Sequence, residues 1–532
     1  DLYETYLPAF EALVKEADVE AVMGAYNRTN GEPCCGSKTL LKDILRDDWG
    51  FKGHVVSDCW AVRDFHLNHK VTEGPKESVK MALDAGCDLN CGCTYAYIMA
   101  ALKKGLITEE QITRSCVRLY TTRFLLGLFD GSEYDSIPYE VVECEGHRKL
   151  AVTAAEKGIV LLKNDGILPL DKSRIKTIGV IGPNANSRRV LSGNYHGTSS
   201  HYVTVLDGIQ KEAGETCRVL YSEGCHLYKD QVEFLGEPKD RFKEALIAAE
   251  RADVIVMCLG LDAGIEGEEG DAGNEYASGD KLGLKLPGLQ QELLEAVAAV
   301  GKPIVLTVLA GSALDLSWAQ EHAQIRAILD CWYPGARGGK AIAEALFGEF
   351  SPCGKLPVTF YEGTEFLPDF TDYSMAGRTY RYTDRHVLYP FGYGLTYSQI
   401  RYSDAHADVT DFGILEPVTV HVTVENTGTY PVQEAVQVYV RFSEREAYDP
   451  GYQLKGIRSV ALECGEKKEV CITLSTRDFA LISEEGKCLV HPGSYEIAVG
   501  GQQPDERSSR LTGQTVSTLF ICKTGNVTEV EY

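Results

Sequence analysis

Four near-continuous apolar runs constrain this chain more than any other feature: TIGVIGP (177–183), ADVIVMCLG (252–260), PIVLTVLAG (303–311) and AILDCWYPG (327–335). A strand that is apolar on both sides must be covered on both faces, which is the situation of a parallel sheet between helices. Helical spacing between the runs, as in LQQELLEAVAAVG (289–301), supplies the covering layer. Ligands of such sheets meet the loops at the carboxyl ends of the strands. Beyond residue 400 the pattern changes to period two, with VTVHVTVENTG (418–428), EAVQVYVRF (434–442), KEVCITL (468–474) and GSYEIAVGG (493–501) separated by turn residues. That is the pattern of an antiparallel β-sandwich of immunoglobulin or fibronectin type.

The first 130 residues alternate short strands with helices. AVMGAYN (21–27), GHVVSDCWA (53–61) and CDLNCG (87–92) read as strands; KTLLKDILRDDW (38–49), ESVKMALDAG (77–86) and 107–129 read as helices. This β-α-β-α order predicts a parallel sheet or (β/α) barrel, with only about three of the eight strands a full barrel needs. The fold class predicted is α/β multidomain: 1–130 part of a parallel sheet or (β/α) barrel, which a family resemblance narrows to the C-terminal part of a (β/α)8 barrel, 131–155 a linker, and 156–360 a second α/β domain, by the same resemblance an α/β sandwich. Residues 361–400 follow as a connector and 401–532 as a fibronectin type III-like domain. At 532 residues the chain is too long for one core.

Charge and cysteine usage narrow the function. Fifty-three Lys and Arg against 77 Asp and Glu leave a net charge of −24, which repels phosphate backbones and anionic lipid and leaves neutral substrates open. No run of eighteen apolar residues is present. The seventeen cysteines are scattered, many inside apolar runs (Cys258, Cys331), as free thiols packed like small hydrophobes. A cytoplasmic location is expected on that ground; the chain opens on Asp1, so an upstream signal peptide stays open.

Asp58 follows Val55-Val56 at the carboxyl end of a buried strand, where barrel enzymes place catalytic groups; the alternative is a helix cap or a structural acid. The loop 260–288 gathers Glu266, Glu268, Glu269, Asp271, Glu275 and Asp280 among glycines, either as a solvated loop or as one that carries carboxylates to a pocket. It lacks calcium-loop spacing, so no metal is expected there. GARGGKA (335–341) is one residue short of a phosphate-binding loop and has no Ser or Thr after its Lys. Cys87, Cys91 and Cys93 lack a second pair at zinc-finger spacing and read as core thiols. His66 and His69 lack HExxH spacing and read as substrate-contacting or structural.

The ordered motifs resemble those of glycoside hydrolase family 3. The stretch 22–61 resembles the family segment leading to its nucleophilic Asp, and EKGIVLLKNDGILPL (156–170) the opening of its second domain. GKPIVLTVLAGSA, WYPGARGG, FGEFSPCGKLPVTF and YPFGYGLTYS follow in family order, and VENTG (424–428) with LKGIRSV (454–460) resembles its fibronectin-like domain. The resemblance implies Asp58 as nucleophile and Glu268, three residues before Asp271, as general acid/base. Because Ala272 and an insertion replace the usual Arg, Glu269 and Glu266 are the alternatives. Met23, Tyr26 and Trp60 match positions near the sugar.

The activity implied is that of a retaining exo-acting β-glycosidase on terminal β-glucose or β-xylose, needing no metal, nucleotide or flavin. SDCWAVRDFHLNHKVT (57–72) and GCDLNCG (86–92) resemble the xylosidase-like branch more closely. Family members carry further sugar-gripping residues on barrel strands before VMGAYN, and these are absent. The chain is therefore expected to need that barrel segment from the same protein or from another chain. A non-catalytic sugar-binding subunit and a β-glycoside phosphorylase are the other readings; homo-oligomers are compatible with each.

Overall fold

The computed structural model describes residues 1–266, 281–383, 385–413 and 416–530. The chain divides into two compact units, Asp1–Val141 and Val142–Tyr532. No described helix is long and apolar enough to cross a membrane.

In the first unit, β1 (Ala21–Gly24) pairs in parallel with β2 (His54–Ser57), placing Met23 opposite Val56. Val56 also bridges in parallel to Leu89, so the third strand-like segment joins the other edge of β2, with β2 between it and β1. Helices α1 (Ala61–Leu67), α2 (Pro75–Ala85) and α3 (Glu109–Leu125) follow. Each has a local cause. Pro75 opens α2 with its φ already helical, and Gly86 ends it at φ +96, where a side chain would be strained. Thr108 caps α3 in a reciprocal box with Gln111. Val55, Val62, Phe65, Ala82 and Ala85 form the core between strands and helices. Beneath it Asp88, fully buried, accepts from Arg46, Arg118, Ser115 and the Val55 N–H, which ties the amino end of β2 to α3.

The second unit carries a six-stranded sheet in the order β3 (Val160–Asn164), β8 (Ile325–Asp330), β7 (Ile304–Leu309), β6 (Val254–Gly260), β4 (Thr177–Ile181), β5 (Arg218–Ser222). All neighbours are parallel except β3 with β8. Every residue of β6 and β7 is buried, as their unbroken apolar runs require. Among the covering helices are α4 (Glu145–Gly158), α5 (Val205–Ala213), α6 (Phe242–Arg251), α7 (Gln290–Ala298) and α8 (Gly338–Phe347). One apolar cluster joins the sheet to α6 and α7, the other to α5 and α8. Helix α4 occupies the second half of the stretch read as a linker.

The β-sandwich packs a three-stranded sheet, β9 (Ile400–Ala407), β10 (Val418–Asn426) and β13 (Lys467–Leu474), against a five-stranded one. The latter contains β11 (Val432–Phe442), β12 (Gln453–Leu462), β14 (Gly493–Gly500), β15 (Ser517–Lys523) and Asp411–Phe412. Val418, Val420, Val422 and Val424 point into its core, while Thr419, His421, Thr423 and Glu425 face outward.

Candidate active site

Asp58 sits where β2 ends, half-buried. Its own N–H donates to the Gly24 carbonyl at the end of β1, and its Oδ1 accepts the Cys59 N–H at 2.7 Å. Two loops are zipped together here. The Ser57 N–H donates to the Leu89 carbonyl, Ser57 Oγ accepts from Asn90 and from the Cys91 N–H, and the Trp60 N–H donates to the Cys91 carbonyl. A disulfide joins Cys59 to Cys91 with Cα atoms 4.4 Å apart.

That pairing corrects the reading of the three clustered cysteines as core thiols. Only Cys87 is a buried thiol; Cys91 is oxidised and Cys93 is exposed. The two partners lie 32 residues apart in sequence and meet only because the Leu89 segment lies beside β2.

Trp60 takes a left-handed backbone (φ 70) as it enters α1, which turns its ring out beside Asp58. A side chain at Gly92 would press on that ring at 3.2 Å, so glycine is needed where the two loops cross. The Arg63 guanidinium lies 4.7 Å from the Trp60 ring centre. Met23 and Tyr26 are exposed on β1 and the turn after it. Asp58, Trp60 and Tyr26 thus lie just past the carboxyl ends of β1 and β2, and Met23 near the end of β1. His66 is satisfied by Ser78 at 2.9 Å, and partial burial with Arg63 and Lys70 nearby holds its pKa below the ordinary value. His69 stacks on Phe65.

In the second unit the acidic loop leaves β6. Gly260 permits the exit: at φ +136 a Cβ there would lie 2.1 Å from the Leu309 carbonyl oxygen. Glu266 accepts the Gly311 N–H at 2.7 Å and the hydroxyls of Ser312 and Tyr333. On the far side Lys281 donates to the Ala313 carbonyl at 2.7 Å. Both flanks of the loop are therefore fastened to 311–313. Glu268 and Glu269 lie outside the described residues.

Asp330, at the carboxyl end of β8, is fully enclosed. Burial, and more weakly the nearby Glu266, push its pKa to about 8, and its Oδ2 has no partner. An unfolded Asp releases its proton near about 3.9. Between these values the folded chain holds a proton the unfolded chain has lost, so this group's stabilisation is full at low pH and falls away as pH rises to about 8. Asp330→Asn removes the penalty. Thermal melts from pH 5 to 9 are expected to show the variant gaining on the parent chain by several kcal/mol toward alkaline pH; a constant difference across that range would contradict the assignment.

A cleft of ≈ 380 Å³ is lined by Lys42, Arg46, Lys52, Arg114 and Arg118, with Asp47 and Asp84 beside them. It opens near Phe51 and Gly86, at the amino ends of β2 and the Leu89 segment, away from Asp58.

With this geometry in place, the relatives are informative. Residues 1–122 match the Glycosyl hydrolase family 3 N terminal domain, 159–397 the Glycosyl hydrolase family 3 C-terminal domain and 434–503 the Fibronectin type III-like domain. The first match begins at residue 1, so it does not register the absent barrel strands expected from the sequence. A xylan 1,4-beta-xylosidase of Xylanibacter ruminicola is 31% identical over 96% of this chain and 75% of the relative. A beta-xylosidase of Formosa agariphila is 35% identical over 94% and 70%. Among solved structures, an exo-beta-xylosidase (XlnD) bound to a xylobiose aziridine probe superposes with a TM-score of 0.88 at 30% identity, over 99% of this chain and 68% of the other. A Listeria innocua beta-glucosidase bound to glucose gives 0.84 at 27%, over 99% and 70%. The chain belongs to glycoside hydrolase family 3, and it is a glycoside hydrolase of the β-glucosidase or β-xylosidase type.

Proposed function

We propose that the chain acts as a retaining exo-glycosidase that releases terminal β-D-xylosyl or β-D-glucosyl residues through a covalent glycosyl-Asp58 intermediate. The observation that carries this reading is the placement of Asp58: a carboxylate at the end of a parallel strand, accepting one backbone N–H, with Met23, Tyr26 and Trp60 exposed at or just past the ends of β1 and β2. In the first step an Asp58 oxygen bonds to the anomeric carbon as the C–O bond to the leaving group breaks, and the acid protonates the departing oxygen. In the second step the same residue, now a base, takes a proton from water, which attacks the anomeric carbon and frees Asp58. Such chemistry requires the two carboxyl groups about 5–5.5 Å apart.

For the acid/base we favour Glu268, with Glu269 next. Glu266 is the weakest of the three, because an acid must hand its proton to a leaving group and the Glu266 oxygens already accept three donors. A complete barrel has eight strands. The first unit offers β1, β2 and the Leu89 segment, so we propose that further barrel strands, from the same protein or another chain, complete the sugar pocket.

An aryl β-glycoside panel tests the reading. Release of xylose or glucose with net retention is expected. In Glu268→Ala, substrates with activated leaving groups should outlast unactivated ones, and azide should restore turnover as the β-glycosyl azide. Inversion, a phosphate-dependent rate, or silence on every sugar with the barrel strands supplied would count against it.

A further inference from the structure

We infer that the β-sandwich carries a binding site for a single divalent transition ion of zinc-like softness, on the outer face of its three-stranded sheet. The register brings three chemistry-bearing side chains into one row. His406 on β9 stands opposite His421 on β10, and His421 stands opposite Cys471 on β13. Glu469, two residues before Cys471, projects from the same face of β13 by the period-two rule.

Two of the three ligand separations already match coordination by one ion. His421 Nδ1 lies 3.2 Å from Cys471 Sγ and 3.4 Å from Glu469 Oε1, and the three ligand atoms all fall within 4.8 Å of one another. Tetrahedral zinc, with bonds of about 2.0–2.3 Å, places its ligand atoms roughly 3.3–3.6 Å apart along each edge. An imidazole nitrogen, a thiolate and a carboxylate form a mixed donor set that suits zinc far better than calcium or magnesium, which take oxygen.

His406 stacks on His421 with ring centres 4.8 Å apart. Its Nδ1 faces the Asp404 carbonyl at 2.9 Å. The fourth corner therefore falls to water, while His406 packs against the His421 ring and holds its orientation. Arg458 approaches only the Cys471 carbonyl, not the sulfur. No part of the proposed hydrolysis uses these residues. The ion would pin β10 to β13 from outside the sandwich core.

Cobalt(II) titration of the full chain, freed of metal beforehand, tests this directly. One equivalent should bind, with a sulfur-to-cobalt charge-transfer band and intense tetrahedral d–d absorption that zinc bleaches. Cys471→Ser should abolish the charge-transfer band while leaving the circular dichroism spectrum and thermal melt of the chain unchanged, which confirms the variant is folded. His421→Gln keeps the thiol and should weaken zinc binding by more than about tenfold, because loss of even an outer-shell partner costs that much. Cys464→Ser, an exposed cysteine of the same domain, should leave the spectrum intact. Absence of the band, its survival in Cys471→Ser, or its loss in Cys464→Ser would overturn the assignment and leave an ordinary His–Cys surface contact.

Discussion

Asp58→Asn is expected to reduce turnover of an aryl β-glycoside by about 10³–10⁶, as loss of a nucleophile does in other covalent enzymes. In barrier terms that is roughly 4–8 kcal/mol. The substitution keeps the shape of the side chain and an oxygen to accept the Cys59 N–H, so the fold of the 57–60 loop is retained and only the ability to bond the anomeric carbon is lost. A sharper form is Asp58→Gly with azide. Azide entering the vacated space attacks the intact substrate from the side opposite the leaving group, giving the α-glycosyl azide, whereas an acid/base variant gives the β product. Near-normal turnover in Asp58→Asn, or a β-azide from Asp58→Gly, would remove Asp58 from the nucleophile's role.

Asp88→Ala is expected to destabilise the first unit by about 3–5 kcal/mol, the cost of leaving buried charge unpaired. The Asp88 carboxylate is completely enclosed and accepts from Arg46 at 2.9 Å, Arg118 at 3.1 Å, Ser115 at 2.9 Å and the Val55 N–H at 3.0 Å. Arg46 is itself largely buried. Burial first, and Arg118 second, already lower its pKa to about 10, with Asp88 as the opposing charge. Removing that charge leaves two guanidinium groups facing each other and frees the strand that ends at Asp58. Limited proteolysis on heating should cut within residues 1–141 before the rest of the chain. A loss below about 1 kcal/mol, typical of exposed pairs, would mean that water reaches the cluster.

Much of the architecture was legible because the strands that matter are either wholly buried or strictly alternating. The runs at 177–183, 252–260, 303–311 and 327–335 became β4, β6, β7 and β8, and the valines of 418–424 declared one face of the sandwich. The strand β5 was not read. It is an edge strand with one buried residue, so its sequence RVLYS mixes charged, apolar and polar side chains without period. Strand β3 sat inside a recognised motif but was too short to stand out, with three buried residues in five.

At the site, the position of Asp58 after Val55-Val56 made it a candidate beside a cap or structural acid, and the family resemblance, not the position, implied a nucleophile. Its surroundings could not be found that way. The Cys59–Cys91 bond spans 32 residues, and Arg46 and Arg118 reach Asp88 from 42 and 30 residues away. The three donors on Glu266 come from segments 45 to 67 residues downstream. Pairings at that range leave no local trace in spacing or period. They follow from which strand ends lie side by side.

The two fastenings of the acidic loop separate its length from the stability of the sheet. Glu266 holds one flank to Gly311 and Ser312, and Lys281 holds the other to Ala313. Whatever is inserted between them, the points of departure and return stay where they are. For a flexible segment, doubling its length adds only about 0.6 kcal/mol of closure cost. The sheet beneath therefore draws little of its stability from the length of what runs between the two fastenings.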